Sequence, residues 1–290
     1  MTIRPWSEGK PTLQLPLFST ESSWRPPDVN TLPSWKGAKR VGIDIETYDP
    51  NLKTTGPSVR TGGYIVGVSF CLEGDRPYYL PIRHFGGDNM PSDGTLFYLR
   101  SQAKEFAGEI VGANFQYDLD YLAEERIVFP RVSAVRDVQI AEPLLYELHN
   151  SYTLDAIAQR WGYDGKAEQM LELASREFGI DPKRDMWKLP ARYVGMYAED
   201  DARLAVEIIA KQEAQLKREG LWNVYDLESR LQPVLLKTRR RGVLINQNKL
   251  GEIGDTMLAA EKNDCAEMQR RTGVKMGVVT ATKKLSPRTS

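Results

Sequence analysis

The run V41-G-I-D-I-E46 limits this chain most. Val41, Ile43 and Ile45 alternate with Gly42, Asp44 and Glu46, a period of two that predicts a β-strand with one apolar face. Asp44 and Glu46 then leave the strand on the same side. Two carboxylates held that close repel unless a cation lies between them. A solvated strand edge also carries paired acids, but the strongly apolar opposite face argues for a central strand. A central strand with two acids calls for a counter-charge, and a metal ion is the simplest one.

Two further segments carry acids in ordered patterns. In L189-P-A-R-Y-V-G-M-Y-A-E-D-D-A-R-L-A-V-E-I-I-A210, Val194, Tyr197, Leu204, Ala205, Ile208 and Ile209 form a helical stripe. Pro190 suits the first turn of such a helix. Tyr197 and Asp201 stand four apart and share one face. Spacing alone does not choose among Glu199, Asp200 and Asp201. In I110-V-G-A-N-F-Q-Y-D-L-D-Y-L122 a short apolar strand runs to Asn114, and a helical pattern follows with Leu119 and Leu122. Asp118 falls near the strand-to-helix junction, where open α/β sheets place ligand groups. An acid favoured by a helix N-terminus would sit there too, and Asp120 competes with it on composition.

The rest of the chain sets bounds. At 290 residues it can hold one full domain and an appendage. Cys71 and Cys265 are too few and too far apart for a disulfide scaffold or a zinc site, which fits a reduced cytoplasm. His84 and His149 lie outside the acidic motifs and are read as loop residues. No apolar run approaches a membrane helix, and Pro, Ser and Trp interrupt any signal-peptide core near the N-terminus. Lys and Arg equal Asp and Glu at 39 each, yet residues 211–290 hold 16 basic against 9 acidic side chains. An acidic domain joined to a basic tail suits capture of a phosphate backbone; a solvated basic helix face has the same composition. Residues 1–31 lack periodicity and are read as a flexible leader, 32–218 alternate strand and helix patterns, and 219–290 are read as a helical extension.

The three acidic segments, in this order, resemble the proofreading 3′-5′ exonuclease domain of family A DNA polymerases, the DNA polymerase I group, and phage members above all. The likeness runs from about Leu32 to about Leu250. It includes G67-V-S-F70 and Y78-Y-L-P-I82 as strands, and R136-D-V-Q-I-A-E-P-L-L145 and S151-Y-T-L-D-A-I-A158 as helices. The segment from Leu227 to Asn246 resembles the helix and short strand that open a polymerase domain, with Gly242 ending the helix. No segment resembles the palm or fingers, so stand-alone polymerase activity is not expected.

The resemblance implies a ribonuclease-H-like mixed sheet of about five strands with flanking helices. It implies Asp44, Glu46, Asp118 and Asp201 as metal carboxylates, selecting Asp118 over Asp120 and Asp201 over Asp200. Tyr197, rather than a histidine, would position the attacking water. Thr47, Asn114 and Tyr117 would line the site for the terminal nucleotide. Two Mg²⁺ or Mn²⁺ ions suit an all-oxygen site of this kind. The implied substrate is a single-stranded or frayed 3′ DNA end. An exoribonuclease, or an inactive nucleic-acid-binding partner of a separate polymerase chain, would keep much of the same pattern. In the leader, Q14-L-P-L-F18 resembles the short motif that docks bacterial polymerases on a sliding clamp, with Gln14, Leu15, Leu17 and Phe18 as contacts; packing back onto the catalytic domain as an apolar strap is the competing expectation.

Overall fold

Strand β1 (Arg40–Tyr48) forms over the alternating run and lies in the middle of a five-stranded sheet. The computed structural model describes residues 21–163 and 168–274. Around β1 the sheet adds β2 (Tyr64–Leu72), β3 (Pro77–Pro81), β4 (Glu109–Gly112) and β5 (Ala134–Asp137), in the order β3-β2-β1-β4-β5. β1 pairs antiparallel with β2 and parallel with β4; β2–β3 is antiparallel and β4–β5 parallel. The sheet is therefore mixed, as the resemblance implies. The β1–β2 register shifts between Glu46 and Thr47, leaving a bulge at the end of the acidic run.

The two faces are covered differently because the two faces of β1 differ. Val41, Ile43 and Ile45 point into a core with Leu96 and Leu99 of α1 (Ser92–Glu105) and Leu119 and Leu122 of α2 (Phe115–Glu124). The opposite face receives α3 (Val138–Leu145), α4 (Leu154–Arg160) and the long α6 (Gly195–Arg218). There Val111 packs with Leu204, Ala205, Ile208 and Ile209. α5 (Glu168–Glu177) packs beside the segment that leads into α6. α7 (Trp222–Arg241) lies against the body through Tyr225, whose hydroxyl meets the Asp137 backbone N–H at 3.2 Å, and through Arg240 on Asp120 at 2.6 Å.

Contacts divide the chain into two units, Met1–Arg240 and Arg241–Ser290. The second contains α8 (Gln247–Thr272), capped by the Asn246 side chain on the Lys249 N–H. Gly242 ends α7 with φ of 71°. The short strand expected after it does not form among the described residues. Val243, Leu244 and Ile245 are exposed, with no neighbouring strand to take their ladder bonds.

Two element boundaries differ from the sequence pattern. β4 stops at Gly112 rather than Asn114, because Asn114 adopts the left-handed conformation (φ 55°, ψ 41°) and breaks the strand. α6 begins at Gly195 rather than Pro190, after a separate 3-10 turn over Ala191–Tyr193. The loop after β3 accounts for this. It takes the Ala191 N–H onto the Gly87 carbonyl (3.1 Å) and holds the Arg192 guanidinium on both oxygens of Asp88. Ahead of the sheet, the Trp24 indole rests on Gly195, where a Cβ would fall 2.1 Å from the ring.

Gly42 fixes how closely α6 approaches β1. A Cβ there would stand 2.2 Å from the Ala202 carbonyl oxygen and 2.6 Å from Val206. The first contact is helix backbone and cannot swing aside. Gly42→Ala is expected to lower stability by about 3 kcal/mol, the upper end for an overpacked contact. Urea denaturation checks this, and an unchanged midpoint would mean the helix has room to retreat.

Candidate active site

The close approach at Gly42 carries the acids together. Gly42, Asp44 and Glu46 share the β1 face toward α6, and Asp201 stands on α6 one residue before Ala202. Carboxylate oxygens of Asp44, Glu46 and Asp201 all lie within 4.8 Å of one another. Asp44 and Glu46 are half-buried; Asp201 is buried. The donor set is oxygen alone, which matches a hard divalent cation.

Asp118 reaches the site by another route. The β1–β4 ladder covers only Arg40 to Gly42. Beyond it, the N-terminus of α2 sits beside β1, and the Asp118 carboxylate accepts the Ile45 backbone N–H at 3.2 Å. A side chain thus takes a ladder position that β4 has vacated. Burial pushes the Asp118 carboxyl well above its ordinary pKa, and the charge of Asp44 adds to it. Asp120, its competitor in the sequence, faces away and pairs with Arg240 and Arg239. Asp200 pairs with Arg203 at 2.9 Å, and Glu199 accepts the Tyr79 N–H at 3.3 Å.

Tyr197 lies one turn before Asp201 on the buried face of α6. Burial raises its phenol well above its ordinary pKa, helped by Asp201, Glu46 and Asp44, so the hydroxyl keeps its proton. Tyr79 of β3 lies over Gly67, whose absent Cβ would fall 2.2 Å from the Tyr79 oxygen. Gly67 is the β2 partner of Glu46.

The residues expected to meet the terminal nucleotide divide. Thr47 and Tyr117 come together: their hydroxyls are 2.7 Å apart, and Tyr117 donates on to Asp49 at 3.0 Å. Tyr121 also donates to Asp49, at 2.7 Å, and the Ser58 N–H adds a third partner. The Asn114 side chain is exposed, and its backbone N–H donates to Asp137. Asp49 and Tyr121 were not picked out from the sequence; an acid just after the D-x-E run was their only signal. Asp137 was missed as well. Its carboxylate accepts from Asn114, Phe115 and Gln139 and caps α2 and α3 at once. Gln14, Leu15, Leu17 and Phe18 lie outside the described residues.

His84 is on a loop, as expected, but it is buried and supports the site from behind. Its Nδ1 is 2.9 Å from the Leu189 carbonyl, which can only accept, so Nδ1 carries the proton. Nε2 then accepts from the Tyr79 hydroxyl at 2.6 Å. Burial lowers its pKa from 6.5 to about 4. Between those values the unfolded chain binds a proton that the folded one refuses. Stability should therefore fall as pH drops from 6.5 toward 4, by roughly 3 kcal/mol from this group. Comparing pH-dependent unfolding of wild type and His84→Gln checks this; equal slopes over that window would remove His84 as the cause.

No family model matches the chain. Among curated proteins it is 52% identical over 269 residues to a DNA-directed DNA polymerase of Pseudomonas phage M6, covering 92% of this chain and 40% of that protein. It is 26% identical over 214 residues to DNA polymerase I of Pseudomonas aeruginosa, covering 68% of this chain and 22% of the relative. The chain thus spans well under half the length of these relatives. Among solved structures, NrnC of Brucella melitensis bound to pGG superposes with a TM-score of 0.52 at 18% identity, over 73% of this chain and 90% of NrnC. The same protein has been solved with bound Mg²⁺ (TM-score 0.51, 17% identity, 73% and 90% coverage). Among the described residues no helix is long and apolar enough to cross a membrane. By sequence the chain is similar to a phage DNA-directed DNA polymerase and to a bacterial DNA polymerase I, and by fold to NrnC.

Proposed function

We propose that this chain is a metal-dependent 3′-5′ exonuclease that hydrolyses DNA to nucleoside monophosphates, the proofreading module of a phage or bacterial family A polymerase. One observation carries the reading. Asp44 and Glu46 from a central strand and Asp201 from a crossing helix place their oxygens within 4.8 Å, and Tyr197 stands one turn from Asp201 on the same buried helix face.

Asp44, Glu46 and Asp201 would hold one Mg²⁺ or Mn²⁺, and Asp44 with Asp118 would face a second. Such ions supply charge neutralisation at the scissile phosphate and a water of lowered pKa. The chain's own groups do the rest. Asp118, fixed by the Ile45 N–H, cannot drift from Asp44. Tyr197, protonated and buried, presents its hydroxyl to orient the attacking oxygen. Thr47 and Tyr117, locked through Asp49, form a polar wall for the terminal sugar, and Asn114 stands at its rim. A sliding clamp, met through Gln14, Leu15, Leu17 and Phe18, and a separate polymerase subunit are the proposed protein partners.

Asp44→Ala and Asp201→Ala are each expected to abolish degradation of single-stranded DNA in Mg²⁺ while the fold survives, since removing one acid relieves repulsion in the metal-free cluster. Tyr197→Phe should lose roughly 10- to 1000-fold, the scale of one misplaced catalytic hydrogen bond, with metal binding intact. Near-wild-type rates in either acid variant would overturn the site assignment.

Direction and strandedness test the proofreading reading. A 5′-labelled duplex with a mismatched 3′ end should shorten faster than a fully paired one, because unpairing costs a few kcal/mol. Equal rates, or early loss of the 5′ label, would contradict it. RNA digested as fast as DNA would favour an exoribonuclease. Absence of any metal-dependent hydrolysis would leave an inactive binding partner.

A further inference from the structure

The row of side chains Gly42, Asp44, Glu46 continues along β1 to Tyr48, two residues and roughly 6–7 Å beyond Glu46. Tyr48 does not end in solvent alone. Its ring lies 5.0 Å from Tyr64, its cross-strand partner on β2, and 4.7 Å from the Trp187 indole, edge to face. Trp187 in turn meets Phe85 at 6.4 Å, and its carbonyl accepts the Phe85 N–H at 2.9 Å.

Four half-buried aromatic rings thus gather at the end of the acidic row. None belongs to the three buried clusters or to the half-buried hydrophobics packed against them. Tyr117, by contrast, packs against the main core and binds Asp49 through its hydroxyl. Two ion pairs flank the group. Lys188 Nζ lies 5.4 Å from the Trp187 ring centre and pairs with Asp185 at 2.9 Å, and Arg83 holds the Ile65 carbonyl beside Tyr64 and pairs with Glu125 at 2.6 Å. Flat, half-exposed rings next to carboxylates that suit a metal-bound phosphate match an unpaired nucleobase better than an apolar peptide.

We propose that Tyr48 and Trp187 form a stacking platform for one unpaired base, preceding the terminal nucleotide that Thr47 and Tyr117 would meet, of the strand whose 3′ phosphodiester lies at Asp44, Glu46 and Asp201. This rests on the nuclease reading for the position of the phosphate. The platform is sequence-tolerant, since every base has a π-face, and it holds the strand in line with the carboxylates. Phe85 and Tyr64 support it by fixing the two rings.

The test separates stacking from packing and from catalysis. Binding of the full chain to a fluorescent eight-nucleotide single strand is measured by anisotropy in Ca²⁺, with a single abasic site moved along the last four positions. In wild type, one position should weaken binding roughly 5- to 100-fold when its base is removed. Trp187→Ala should weaken the intact strand by a similar factor and abolish that positional sensitivity, while Trp187→Phe keeps most of both. Hydrolysis of the nitrophenyl ester of thymidine 5′-monophosphate, which has no second base, should be unchanged by Trp187→Ala. Equal and additive losses from base removal and Trp187→Ala, or no positional sensitivity in wild type, would overturn the platform. An equal loss on the nitrophenyl ester would make Trp187 a packing residue. If wild type hydrolyses neither substrate in Mg²⁺ or Mn²⁺, the nuclease reading fails, and the anisotropy data still decide the platform.

Discussion

Helix α6 rests on strand β1 at a place where the strand has no side chain. Gly42 lets the Ala202 carbonyl come within 2.2 Å of where a Cβ would be, and that approach delivers Asp201 to Asp44 and Glu46. The arrangement is electrostatically costly. Like charges about 4–5 Å apart at an effective dielectric near 20 repel by about 3–4 kcal/mol per pair. Packing of α6 against β1 and β4 has to hold the acids together against that repulsion. A cation held at that point would reverse the sign of the balance.

The helix is fastened along its length to keep that geometry. Toward its C-terminus Glu213 pairs with the buried Arg40 at 2.7 Å, and Arg40 also binds Glu109 of β4. Arg136 of β5 joins Glu109 and Asp226, tying α7 to the same sheet edge. Toward its N-terminus Trp24 packs on Gly195 and lies 6.0 Å from Tyr79. Removing one partner from such buried pairs leaves an uncompensated charge and costs more than the pair contributes. The network therefore specifies where α6 lies more than how stable the domain is.

The loop after β3 adds the last constraint. His84, Gly87 and Asp88 bind Leu189, Ala191 and Arg192, so the segment before α6 cannot slide along the helix axis. Gly87 and Asp88 both have positive φ, at 100° and 61°, a conformation that suits glycine and that aspartate tolerates. Through His84 the same loop holds the Tyr79 hydroxyl, and Tyr79 lies over the glycine paired with Glu46. Three segments distant in the chain thus meet around one small volume.

Much of this was legible in the residues. Alternation in 41–46 determined a strand with Asp44 and Glu46 on one face, because side chains on a strand alternate strictly. Spacing of four determined that Tyr197 and Asp201 share a helix face. Both are local, and local periodicity survives without knowledge of the rest of the chain. What the sequence could not separate was Asp118 from Asp120, or Asp201 from Asp200, except by resemblance. The members of each pair differ only in direction, and direction is set by what packs alongside. Tertiary structure sets those directions: Arg239 and Arg240 of α7 hold the buried Asp120, Arg203 holds Asp200, and the gap left where β4 stops turns Asp118 onto Ile45. The same holds for the contacts of Asp49 with Ser58, Asp137 with Phe115 and Trp187 with Tyr48, which span 9, 22 and 139 positions and form only when the sheet is assembled.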